Sequence, residues 1–147
     1  MLDIYRLILN VCFISFSFNL FLIVVIRIGA SGWSYKEWYR VFYPKGLSQS
    51  EMLKYYSNFF DTVEVNSSFY SIPRSQAVYF WNKNTPEDFI FSIKVFQGIT
   101  HEKKLFDVQR DLLDFLIRFD VLKEKGKLGP FLIQLPPRFK KDLKLLE

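Results

Sequence analysis

One cysteine and one histidine occur in 147 residues. That excludes a disulfide framework and leaves too few His and Cys ligands for a metal site. No glycine-rich stretch has the spacing of a dinucleotide fingerprint or a P-loop. Gly29-Ala-Ser-Gly32 comes nearest, and it is a weak phosphate signal. No basic run interleaves with exposed rings, so nucleic acid is not the expected partner, although a net charge of +5 permits an anionic one. Charge is missing altogether from Leu7 to Ile26, over about the length that crosses a bilayer. Residues 7–23 therefore read as a membrane helix, or residues 1–24 as an extension produced by a start placed upstream of the first strand. A cleaved signal peptide fits less well, because no small-residue cleavage site follows the apolar run before Gly29.

What is present points to a packed core. Half of the residues are hydrophobic and 19% aromatic, with 17 Phe, which excludes disorder. The length allows one domain with a real interior. Its first strand is Val24-Val-Ile-Arg-Ile-Gly29, with Ile26, Ile28 and Ala30 on one face and Arg27, Gly29 and Ser31 on the other. Gly32 ends it, and an aromatic loop runs to Pro44. Ser48 and Glu51 form a capping box for a helix with Met52, Leu53, Tyr56, Phe59 and Phe60 on one stripe.

The central stretch is Thr62-Val-Glu-Val-Asn-Ser-Ser-Phe-Tyr70, a strand running into a loop with Thr62, Glu64 and Asn66 on one face. Ser75 is expected to cap a helix carrying Ala77, Val78 and Trp81. Phe89 to Phe96 reads as a third strand, with Ser92 and Lys94 on its polar face. Apolar residues at helical spacing predict one long helix over 105–124, stopped by Gly126. Leu128 to Pro137 gives a fourth strand, and a further helix is expected over 140–147. Helix and strand alternate throughout, which predicts a parallel α/β sheet.

Six of these blocks, Ile28-Gly-Ala-Ser-Gly-Trp-Ser-Tyr35, Phe42-Tyr-Pro-Lys-Gly-Leu47, Thr62 to Tyr70, Phe91-Ser-Ile-Lys94, Ile99-Thr-His101 and Leu128-Gly-Pro with Gln134-Leu-Pro-Pro137, resemble the YecE-like family (domain of unknown function 72). The resemblance covers about residue 26 to the end. It implies a TIM-like (β/α) barrel, of which the chain holds the first four βα units, truncated before the fifth, with no established biochemical activity. A fragment of this kind leaves its first and last strands without barrel neighbours. It is expected to self-associate or to need a missing C-terminal half. The barrel part is expected in the cytoplasm.

The apolar strand faces meet the helices, so Arg27, Glu64, Lys94 and Gln134 are expected to point into the barrel. Charges buried there have to pair or border water. One reading is an internal ion-pair network, with Glu64 flanked by Arg27 and Lys94, that fixes register. The other is a pocket for a small anionic or sugar-like ligand, with Glu64 as base and Lys94 as electrostatic partner. Ser31, Asn66, Tyr70 and His101 fall at or beyond strand C-terminal ends, where barrel chemistry occurs. His101, an imidazole, suits proton transfer, although a lone loop histidine more often only hydrogen-bonds. Trp33, Tyr35 and Trp38 offer stacking surfaces, or simply close the loop over the core. Substrate, reaction and cofactor are not legible in these residues. A non-catalytic fragment and a nucleic-acid-binding module are the alternatives.

Overall fold

The alternation of buried side chains along short β-branched and aromatic runs builds one sheet. A computed structural model describes residues 11–15 and 25–140. Its strands are β1 (Val11–Ser15), β2 (Val25–Ser31), β3 (Thr62–Val65), β4 (Ile90–Lys94) and β5 (Leu128–Leu132), in that spatial order. β2 to β5 are parallel, and β1 runs antiparallel along the outer edge of β2, with Val11 opposite Gly29 and Ser15 opposite Val25. The four expected α/β strands thus form a parallel sheet. Among the described residues this sheet is open, with no closure into a barrel.

β1 changes two expectations. Five residues inside the stretch read as a membrane helix are strand, and no helix among the described residues is long and apolar enough to cross a membrane. The remaining residues of 1–24 lie outside the described ones. The free edge expected on the first parallel strand is taken by β1, whose backbone pairs with it over five residues.

Among the described residues five α-helices connect the strands: α1 (Gln49–Tyr56), α2 (Ser67–Tyr70), α3 (Ser75–Lys83), α4 (Gln109–Ile117) and α5 (Asp120–Glu124). The capping box at Ser48 forms as read, its backbone N–H donating to Glu51 Oε2 at 3.1 Å. α1 stops at Tyr56, however, and Phe59 beyond it is exposed. Ser75 is the first helical residue of α3, with Arg74 in the capping position. The single helix expected over 105–124 is two shorter ones. Lys104, Leu105 and Asp107 hold positive φ, which no helix accommodates, so α4 begins only at Gln109. The break at Phe119 lets Phe115 and Phe119, both fully buried, each meet Phe131 edge-on at 6.0 and 5.9 Å. The helix expected over 140–147 lies almost entirely outside the described residues.

The core sits between the sheet and these helices. Val63, Val65, Phe89, Phe91, Ile93 and Val95 project toward Leu53, Tyr56, Val78, Phe115, Phe119 and Leu122. The apolar face of β2 departs from this pattern. Ala30 is buried, but Ile26 and Ile28 are 62% and 60% exposed, beside an open hollow that Phe59, Phe60 and Phe89 also line.

β2 and β3 approach so closely that a Cβ on Gly29 would stand 2.1 Å from the Thr62 carbonyl oxygen. Only Ala30 with Val63 and Ser31 with Glu64 pair directly between them. Tyr56 supplies the missing link. Its buried hydroxyl accepts from the Ala30 N–H at 2.8 Å and donates to the Thr62 carbonyl at 2.9 Å. One helix side chain therefore completes the ladder between two strands.

Candidate functional site

Parallel strands place all their C-terminal ends on one side of the sheet, and the polar residues of the motifs lie at those ends. Ser31 closes β2, Asn66 follows β3, Lys94 closes β4, and Gln134 follows β5. Glu64 pairs across the sheet with Ser31 on one side and Ser92 on the other. Ser31, Glu64, Asn66, Lys94 and Gln134 line one cleft of about 400 Å³, with Leu132 and Ile133 as its apolar wall. Five of the nine residues singled out in the sequence thus meet in one place.

The hydrogen bonds in the cleft run in one direction. Ser31 Oγ donates to Glu64 Oε1 at 2.9 Å, and Asn66 Nδ2 donates to Ser31 Oγ at 2.6 Å. A carboxylate only accepts, so the Ser31 proton is committed to Glu64 and its oxygen is left to accept from the amide. That order turns Asn66 Oδ1 away, buried and without a hydrogen-bond partner. The Tyr35 hydroxyl donates to the Ser31 backbone carbonyl. Burial, and then the negative charge of Glu64, push that hydroxyl above its ordinary pKa, so it stays a donor. Gly32 makes the turn between them at φ 104°, where a Cβ would stand 2.8 Å from the Tyr35 oxygen.

Lys94 reaches into the cleft without pairing. Its Nζ sits 4.6 Å from the centroid of the Phe69 ring, a cation–π contact. Neither of the two ion pairs found among the described residues includes Lys94 or Glu64. The expected Arg27–Glu64–Lys94 network therefore does not form. Arg27 shares a face with Ser31, but it lies four residues, about 13 Å, back along β2. There it pairs with Asp61 Oδ2 at 2.9 Å, at the opposite end of the sheet. Sharing a strand face does not place two residues at the same depth.

The other three residues stand outside the cleft lining. Trp33 packs edge-on against Trp81 at 5.7 Å, as a loop aromatic closing over the core. Tyr70 is 70% exposed on α2, edge-on to Phe69. His101 lies in a π-helical turn over Gly98–Glu102, with Nδ1 2.9 Å from Thr100 Oγ1 and its ring edge-on to Phe69 at 5.0 Å. Phe69 is the residue the sequence reading passed over. It stands between Lys94 and His101, and only the short helix α2 brings it there. Ser68 beside it fixes that helix, donating to the carbonyls of Val65 and Lys94, each at 2.6 Å.

The family model described as "Protein of unknown function DUF72" matches residues 27–147. The chain is 34% identical over 119 residues to the UPF0759 protein YunF of Bacillus subtilis, covering 78% of this chain and 41% of that protein. It is 30% identical over 115 residues to the UPF0759 protein YecE of Escherichia coli K12, covering 78% and 39%. Among solved structures, a DUF72 family protein from Thermotoga maritima superposes with a TM-score of 0.68 at 34% identity, over 80% of this chain and 47% of that one. One from Enterococcus faecalis gives 0.57 at 30% identity, over 67% and 42%. The chain spans about two fifths of the length of these curated relatives.

Proposed function

The chain belongs to the DUF72 family, and on that premise we propose that the cleft at the C-terminal ends of β2 to β5 binds a small polar ligand, anionic or sugar-like. The observation that carries the reading is the convergence of polar side chains from all four parallel strands around one hollow of about 400 Å³. Open parallel sheets take their ligands at that end, and a hollow of this size suits a small molecule. Glu64, oriented by Ser31, is the group placed to accept a proton or a hydroxyl. Lys94 is placed to hold negative charge. His101 contributes through Phe69, since its ring packs there and does not line the cleft.

A panel of monosaccharides, sugar phosphates and small carboxylates, followed by thermal shift and by chemical-shift changes on the full chain, tests this. Binding by at least one class is expected, with loss in both Glu64→Gln and Ser31→Ala. Binding that survives both substitutions, or a blank panel, would overturn it.

A further inference from the structure

The two charges in the cleft are opposite in sign, they line the same hollow, and they do not neutralise one another. Glu64 is 5% exposed and receives one hydrogen bond, from the neutral Ser31 hydroxyl. Among the described residues no cation stands within ion-pair distance of it. Lys94 donates no hydrogen bond among them, and its only charge-specific contact is the face of Phe69. A buried carboxylate without a cation is costly, and a lysine held against a ring is desolvated on one side only. The two side chains leave neighbouring strands and line the same hollow, and no ion pair joins them.

We infer that the ligand of this cleft is a small zwitterion, with a protonated amine set against Glu64 and a carboxylate set against Lys94. This rests on the cleft being a site for a small polar ligand and favours, within that class, a molecule of both charges over an anionic or sugar-like one. A bare oxyanion would answer Lys94 and be repelled by Glu64. A neutral sugar would leave both charges without a counterion. A molecule carrying both signs, separated by a few bonds, answers both groups at once.

The test uses the full chain with glycine, β-alanine and γ-aminobutyrate, which lengthen the separation of the two charges stepwise. Methylamine, acetate, glucose and inorganic phosphate are the single-feature probes. One zwitterion is expected to bind about tenfold more tightly than any of the four, the gain of one further charge-assisted contact. Glu64→Gln should remove about that factor and leave the zwitterion no better than acetate, and Lys94→Met should do the same and leave it no better than methylamine. If Lys94→Met fails to fold, Lys94→Gln replaces it. If neither folds, the length series on the unaltered chain decides by itself. Equal or tighter binding of glucose or phosphate overturns the zwitterion while leaving the cleft a ligand site. No saturable shift with any of the seven overturns it too, and the cleft reading falls with it only if the wider sugar and sugar-phosphate panel is also blank.

Discussion

Replacing Tyr56 by Phe isolates one hydroxyl on which the join between β2 and β3 depends. The ring stays where it is, stacked on Phe60 at 4.8 Å and facing Trp38 at 6.4 Å, so no cavity opens beyond a single oxygen. What is lost is the acceptor for the Ala30 N–H and the donor to the Thr62 carbonyl, both beneath a residue with no exposed surface. A buried backbone group left unpaired costs about 1–3 kcal/mol. Two such groups, less the burial cost that the absent hydroxyl no longer incurs, give a loss of about 2–4 kcal/mol. For a domain of this size that lowers the unfolding midpoint by about 8–15 °C. Burial holds the phenol far above its ordinary pKa, so the loss should be constant across neutral and mildly alkaline pH. Circular dichroism melts and urea titrations measure it, with Tyr79→Phe on an exposed ring as the control. A Tyr56→Phe loss no larger than that of Tyr79→Phe would refute the claim that this side chain bridges the strands. Because Ser31 follows Ala30 directly, ligand affinity at the cleft should fall as well.

Three further outcomes are expected. Lys127, 5% exposed, donates to the carbonyls of Asn82 at 2.7 Å and Thr85 at 2.9 Å, so Lys127→Met should cost about 1–3 kcal/mol in a urea titration. Burial lowers the pKa of that ammonium in the folded chain, against the opposing charges of Glu87 and Asp88. The unfolded chain then binds more protons just below the ordinary lysine pKa, and the advantage of the unaltered protein over Lys127→Met should widen as pH rises through that window. At the start of α1, hydrogen bonds from the Ser48 side chain and backbone hold Glu51 below its ordinary pKa of 4.5. That contribution is present above 4.5 and lost as pH falls through the lower folded value, so Ser48→Ala should flatten the acid limb of the stability curve. Finally, the exposed Ile26, Ile28 and Phe59 should drive self-association of the full chain. Light scattering should show a mass above one chain, reduced by Ile28→Lys; a monodisperse monomer before substitution refutes it.

Much of the fold was legible because short-range periodicity carries it. Alternating apolar residues placed β2 to β5, the Ser48–Glu51 pair placed the start of α1, and the helix–strand alternation required the strands to run parallel. Parallel strands in turn put Ser31, Asn66, Lys94 and Gln134 on one side, so most of the cleft followed from strand ends alone. The long helix was misread because an apolar stripe does not register a break. The positive φ values before Gln109 and the bend at Phe119 answer to Phe131, which is distant in sequence. The charge network was misread for a related reason. Strand alternation gives the face a residue points to but not its height, and Arg27 and Ser31 share a face at opposite ends of the sheet. The apolar run before Val25 reads locally as a membrane helix or an upstream extension, and pairing of its backbone with β2 makes Val11–Ser15 a strand. Local sequence thus determined which elements form and which way they run. Contacts between residues far apart in the chain decided which charges meet: Arg27 with Asp61, Ser31 with Glu64, and Lys94 with the face of Phe69.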